Sequence, residues 1–185
     1  PAPTAELKVL APLVGNWTGS GVLREPGDQE TKWKAACSYR WVLDGHFLRE
    51  DMRIEFEGVA DRVVAFAYLG WDRENRRFVR LGVTNSGKAQ LHTMRAGADG
   101  ALTTLSLQRQ NDQDYAERLS FVVQGDTLRH TVDLLLPEGA SLSIVDGTFQ
   151  RGGDTVAVGL DAAPFLGGTP HPDLARLCKS AGRYT

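Results

Sequence analysis

Apolar and polar residues alternate with a period of two along most of this chain, and turn-forming residues break the alternation at short intervals. From Trp33 to Leu43 the odd positions (Trp33, Ala35, Cys37, Tyr39, Trp41, Leu43) form the less polar face, and Lys32, Lys34, Ser38 and Arg40 form the other. From His46 to Phe56 the even positions His46, Leu48, Glu50, Met52, Ile54 and Phe56 oppose Arg49, Asp51, Arg53 and Glu55, which read as a solvent face. Leu128, His130, Val132, Leu134 and Leu136 make a third stripe, and Leu119, Phe121 and Val123 a fourth. One dry and one wet face on consecutive strands indicates an antiparallel sheet rather than a parallel one.

Turn signals such as Asp44-Gly45, Asn85-Ser86-Gly87 and Gln124-Gly125-Asp126 separate these runs. The spacing predicts about ten strands, near 16–24, 30–43, 46–57, 62–71, 76–84, 88–95, 101–109, 115–124, 127–136 and 141–151. The connections are too short for crossover helices, so the order is up-and-down, and ten such strands remove their edges by closing into a barrel. The fold class is therefore all-β. Before the first strand, Leu7, Leu10, Leu13 and Val14 suggest a short helix with Thr4 as its cap, ended by Gly15. Beyond Arg151 the alternation stops. The chain thus divides into a barrel domain over 1–151 and a strap over 152–185, with a short helix expected over Asp173–Ser180.

Composition narrows the function classes. The chain has 185 residues and a net charge of −2, which gives no electrostatic basis for binding nucleic acid or an anionic membrane. No apolar run approaches the ~18–20 residues of a membrane helix. Pro1 to Ala5 carry no signal-peptide pattern, and Cys37 and Cys178 read as reduced structural thiols, with a single disulfide as the alternative. A cytoplasmic location is therefore expected, with secretion after removal of a signal as the alternative.

The segment Leu10 to Gly19 reads Leu-x-x-Leu-x-Gly-x-Trp-x-Gly and leads into Ser20-Gly21. It is followed by Trp41-Val42-Leu43-Asp44-Gly45-His46-Phe47-Leu48, by Gly70-Trp71-Asp72 and by a closing Gly147-Thr148-Phe149-Gln150-Arg151. In this order the chain resembles the calycin superfamily of lipocalin-like and fatty-acid-binding barrels, and more closely the bacterial calycin-like domains of uncharacterised function. The resemblance covers roughly residues 7–151. It implies that Trp17 packs at the closed end of the barrel against Arg151, a structural plug rather than a reacting group. It also implies a cavity that carries a small molecule. Haem is the less favoured occupant. In nitrobindin, a more distant likeness, a histidine near the C-terminal end of the barrel ligates iron, whereas the last strand here has none and His130 lies one strand earlier. No cofactor and no metal site are expected.

Enzyme motifs can be set aside. Gly82 to Lys88 fits the first seven positions of a phosphate loop, but Ala89 follows where a hydroxyl is needed, and the next residues alternate like a strand. Asn16-Trp17-Thr18 is a glycosylation sequon only by coincidence if Trp17 is buried.

Polar residues on dry faces remain. Glu50 is the sharpest pointer, because burying an unpaired carboxylate is costly; a one-residue slip of register would turn it outward. A cavity lined by Trp33, Tyr39, Trp41, Leu48, Glu50, Met52, Phe66, Tyr68, Leu128, His130 and Leu134 would hold an apolar or amphipathic molecule. The alternative is a cofactor-free isomerase, cyclase or hydrolase, with His130 or His46 as base and Glu50 or Tyr39 as acid or hydrogen-bond donor. His92 reads as a surface residue. A homodimer formed through the tail is the third reading.

Overall fold

A computed structural model describes residues 5–25, 29–110, 113–135 and 141–156. Its ten strands are β1 (Gly15–Glu25), β2 (Gln29–Val42), β3 (Phe47–Phe56), β4 (Val63–Asp72), β5 (Arg77–Thr84), β6 (Ala89–Ala96), β7 (Leu102–Gln110), β8 (Gln113–Gln124), β9 (Thr127–Leu135) and β10 (Ser141–Arg151). Each pairs antiparallel with its neighbours in sequence, and β1 pairs with β10 to close the barrel. This is the all-β, up-and-down barrel that the alternation predicts. The segment resembling a phosphate loop is the end of β5 and its hairpin turn, with Gly87 at φ +81°.

A 3-10 helix, Glu6–Leu13, precedes β1. Three residues per turn place positions three apart in one stripe, and Leu7, Leu10 and Leu13 are accordingly all buried. Pro12 sits inside its last turn and discourages continuation. The expected cap, Thr4, lies outside the described residues. The helix covers one end of the barrel, where its leucines join Trp17, Leu48, Leu69, Leu128 and Phe149 in a single apolar cluster.

Trp17 is fully buried there, its indole N–H donating to the Leu13 carbonyl at 2.8 Å. The Arg151 guanidinium lies 4.2 Å from the Trp17 ring centroid. It also donates to the carbonyls of Val14 and, at 3.0 Å, Pro12, and to Asp126 at 3.0 Å. One planar cation therefore ties the helix, the first strand and the β8–β9 turn together.

Further from the helix, the Trp33 indole lies over two glycines. A Cβ at Gly147 would come within 2.2 Å of its indole, and one at Gly21 within 2.5 Å. Gly21 pairs with both Trp33 and Gly147, so the indole spans two neighbouring strands without a side chain beneath it.

Two stretches run against the simple alternation. On β3 the expected solvent residue Asp51 is fully buried on the outer surface, held by Arg40 at 2.6 Å and Arg49 at 2.7 Å. Across β5–β7 the polarity is inverted. Leu81, Leu91, Leu105 and Leu107 point out and are 47–86 % exposed, whereas Arg80, His92, Thr104 and Ser106 are buried.

After β10, residues 152–156 pack on the outside of β1 and β2. The Val156 N–H donates to Ser38 Oγ at 2.7 Å, Ser38 donates to Asn16 Oδ1 at 2.9 Å, and Asn16 donates to Thr155 Oγ1 at 3.1 Å. The rest of the strap, including the expected helix over 173–180 and Cys178, lies outside the described residues. Cys37 is buried, and burial, with the Glu50 charge adding to it, pushes its thiol well above the ordinary value.

Candidate functional site

The middle of the barrel is polar. Glu50 on β3 is 1 % exposed and faces inward, opposite Tyr39 of β2 and Ala67 of β4. The Tyr39 hydroxyl donates to its Oε1 at 3.0 Å. Arg80 of β5 donates to its Oε2 through Nε at 3.1 Å and Nη2 at 2.9 Å. The carboxylate that seemed isolated in the sequence is thus one half of a buried ion pair. Its geometry is the charge-assisted kind that offsets desolvation. Small neighbours make room for it: Ala67 lies between the two strands, and Arg80 extends over Gly82, where a Cβ would stand 2.8 Å from its Nη1. Burial, followed by the Glu50 charge, raises the Tyr39 hydroxyl well above its usual pKa, so that it remains a donor.

Two histidines flank this pair. His92 of β6, directly opposite Arg80, is completely buried, and its Nδ1 lies 3.2 Å from Thr104 Oγ1. His130 of β9 stacks flat on Phe121, with ring centroids 4.6 Å apart and planes 6° from parallel. Burial lowers both imidazoles to about 4, with the nearby Arg80 charge adding to the effect on His92. For His130 the Glu50 charge opposes that shift in part. Both rings are therefore neutral near pH 7.

The Nε2 atoms of both imidazoles are buried without a hydrogen-bond partner among the described residues, as are Trp33 Nε1 and Gln90 Nε2. All four side chains belong to the inner face: Gln90 pairs with Gly82, next along the strand face from Arg80, and His130 pairs with Gly147, over which the Trp33 indole lies. Buried polar atoms are nearly always satisfied by protein or ordered water, so these four inner-face nitrogens are exceptions among the described residues.

Several expected members of the site stand elsewhere. His46 is exposed in the β2–β3 turn, because residues 43–46 form that turn and β3 begins only at Phe47. Phe66 and Tyr68 lie on the outer surface. They pair with Asp51 and Arg49, and the Arg49 guanidinium covers both rings at 5.4 and 6.0 Å. The inner positions of β4 go to Ala65, Ala67 and Leu69, whose small or apolar side chains leave space for the ion pair. Trp41, Leu48 and Leu128 pack in the apolar cluster toward the helix. Leu134 pairs with Glu117 and Leu142, toward the opposite end. Met52 faces Cys37 and Ala65 on the inner face beside Glu50.

Arg80, His92, Thr104 and Gln90 are the members that sequence reasoning missed, His92 having been read as a surface residue. Arg80 shares the parity of Phe78 on β5, Gln90 and His92 share that of Met94 on β6, and Thr104 of β7 pairs with Met94; this was the available signal, masked by the outward leucines.

An open groove of about 580 Å³ runs along β1–β3, where Trp33 and Phe56 meet Lys32, Lys34, Glu55 and Glu57. It meets the polar cluster only through Trp33. Among the described residues no group of three or more His, Cys, Asp or Glu is placed to hold a metal ion. No helix among them is long and apolar enough to cross a membrane.

Solved structures share this architecture. Rv2717c from M. tuberculosis is 15 % identical with a TM-score of 0.60, covering 82 % of this chain and 99 % of that one. The S-type phycobiliprotein lyase CPES from Guillardia theta is 12 % identical with a TM-score of 0.53, covering 80 % and 93 %. At these identities the likeness is one of fold. No curated protein sequence matches the chain. A family model described as a protein of unknown function, DUF1579, matches residues 2–151, which is the helix and the entire barrel. The chain therefore belongs to the DUF1579 family.

Proposed function

We propose that this protein binds a small molecule inside its barrel, against the polar cluster formed by Glu50, Arg80, Tyr39, His92 and His130. One observation carries the reading: four buried nitrogen atoms on inner-face side chains, of Trp33, Gln90, His92 and His130, have no hydrogen-bond partner among the described residues. Leaving a buried polar group unsatisfied costs about 1–3 kcal/mol, and an occupant that meets several such groups recovers that cost as affinity. The calycin-like order of strands supports the reading, since such barrels enclose space. A fold neighbour named as a phycobiliprotein lyase is compatible with it but, at 12 % identity, adds no ligand.

The chemistry favours binding over turnover. An imidazole held at about 4 is a weak base at neutral pH, Tyr39 keeps its proton, and Glu50 is engaged on both oxygens. The groups are set to donate hydrogen bonds rather than to exchange protons.

Native mass spectrometry of the purified protein, paired with its absorption spectrum, tests the reading. A bound mass that dissociates on unfolding is expected, and it should be absent from a Glu50→Leu/Arg80→Met variant that retains the fold. A protein that carries no mass, and whose melting temperature no compound of a broad library raises, would overturn it.

A further inference from the structure

Leu81 of β5, Leu91 of β6 and Leu105 and Leu107 of β7 point outward and are 47–86 % exposed. Leu81 and Leu91 pair directly, and Leu105 pairs with Thr93, two places along β6 from Leu91, so the four form one patch across three neighbouring strands. They leave on the order of 400 Å² of aliphatic surface in water, as much as the largest patch on an ordinary monomer. Two such faces laid together would contribute about 800 Å². A standard dimer interface buries about 1,600 Å² in all, of which a little over half is apolar, so the leucines match its apolar part and the flanking strands would form its rim.

The charges beside the patch are paired within the chain. Arg77 joins Asp72 at 3.4 Å, Arg118 joins Asp133 at 2.8 Å and Arg49 joins Asp51 at 2.7 Å. Lys88 and Arg95 stand at the two ends of β6, beyond the leucines. An acidic or a basic partner gains little from such a surface, whereas a second copy presents the same neutral, apolar face. With a net charge of −2 each, two copies repel only weakly.

The barrel wall is also incomplete at this place. β6 and β7 pair only over Thr93–Ala96 and Leu102–Leu105, although β6 begins at Ala89 and β7 continues to Gln110. Continued by two places, that register would set Leu107 opposite Leu91, but the ladder stops first. The unpaired seam carries Leu91 and Leu107 on its outer side and Gln90, His92 and Ser106 on its inner side. Strand edges without a ladder partner are where another chain adds.

We propose that this chain forms a two-fold homodimer through the outer face of β5–β7, with Leu91 near the axis and the seam of each barrel covered by the leucines of the other. The partner thus closes the wall outside Gln90 and His92. The dimer stands independently of any occupant of the barrel.

Sedimentation velocity of the full chain tests it, the monomer being 20.2 kDa. A species of twice that mass is expected at micromolar concentration. Leu91→Lys and Leu107→Lys should each weaken the dimer roughly a hundredfold or more. Leu142→Lys, at an exposed leucine on β10 outside the face, should leave it unchanged. An equimolar mixture of Leu91→Lys and Leu91→Glu chains should regain the dimer, which unfolded variants could not do. A monomeric wild-type chain would overturn the proposal, as would a dimer that survives both lysine substitutions on the face. Failure of the mixture to associate would remove Leu91 from the axis. A monomer that sediments with neutral phosphatidylcholine vesicles, and loses them on Leu91→Lys, would give the face to a lipid surface instead.

Discussion

Glu50 and Arg80 are joined across a strand that belongs to neither. They stand on β3 and β5, and their contact passes over Ala67 of β4, whose side chain is a single methyl group. Replacing Ala67 by Leu should therefore separate the pair. The expected cost is about 3–5 kcal/mol, the usual penalty for leaving one buried charge without its partner. Denaturant unfolding measures it, and a loss below about 1 kcal/mol would show that the pair relaxes around the obstruction.

The same pair predicts strong non-additivity. Arg80→Met alone and Glu50→Leu alone each strand a charge in the interior and should each destabilise by several kcal/mol. The double variant should recover most of that loss, because an apolar pair of similar volume needs no desolvation. A stable double variant that no longer carries ligand would separate the role of the pair in recognition from its role in folding.

Acid should weaken the fold through the two histidines. Their folded-state values of about 4 lie below the ordinary 6.5, so the unfolded chain takes up protons first as pH falls. Their contribution is complete above about pH 6.5, declines between about 6.5 and 4, and changes little below that. Each site contributes at most about 3 kcal/mol to the decline. Urea midpoints measured across this range check the sign. His92→Asn and His130→Phe should flatten the slope, and an unchanged slope in both would remove the histidines from the explanation.

Trp33 requires bare backbone beneath it. Gly147→Ala would place a methyl group 2.2 Å from the indole and should destabilise by about 1–3 kcal/mol, the range for overpacking. Adding Trp33→Leu to that variant should restore part of the loss. No recovery would mean that the strain lies in the strand and not against the indole.

Arg151→Lys preserves the charge at the closed end but not the plane. The stacking on Trp17 and the fork that reaches the Val14 and Pro12 carbonyls would be lost, for a cost of about 1–2 kcal/mol. Thermal unfolding would show it as a drop of several degrees, and an unaltered midpoint would reduce the contact to decoration.

Strand number and order were legible because turns punctuate the chain wherever a strand ends, and because β2, β3 and β9 turn their apolar residues inward. Glu50 could be placed on the inner face for that reason. Its partner could not be found, since Arg80 lies thirty positions further on and meets it only through the curvature of the barrel. Alternation also misled in definable ways. His46 continues the even stripe of β3 on paper, but the turn consumes it. Phe66 and Tyr68 have the bulk of lining residues, yet Arg49 covers them from outside. His92 sits between Leu91 and a threonine, and the exposed leucine next to it concealed which side was inside.

The leucines on the outside of β5–β7 give the chain a competing solution. Sliding those strands by one residue would bury Leu81, Leu91, Leu105 and Leu107 and expel Arg80, His92 and Thr104, a conventional oily interior. Hydrophobic patterning alone would choose that arrangement. The native one depends on pairing fixed from both sides by the closed ring and on glycines at positive φ in the β5–β6 and β6–β7 turns. This third of the barrel is thus locally frustrated, and its sequence sacrifices folding robustness to keep a hydrophilic centre.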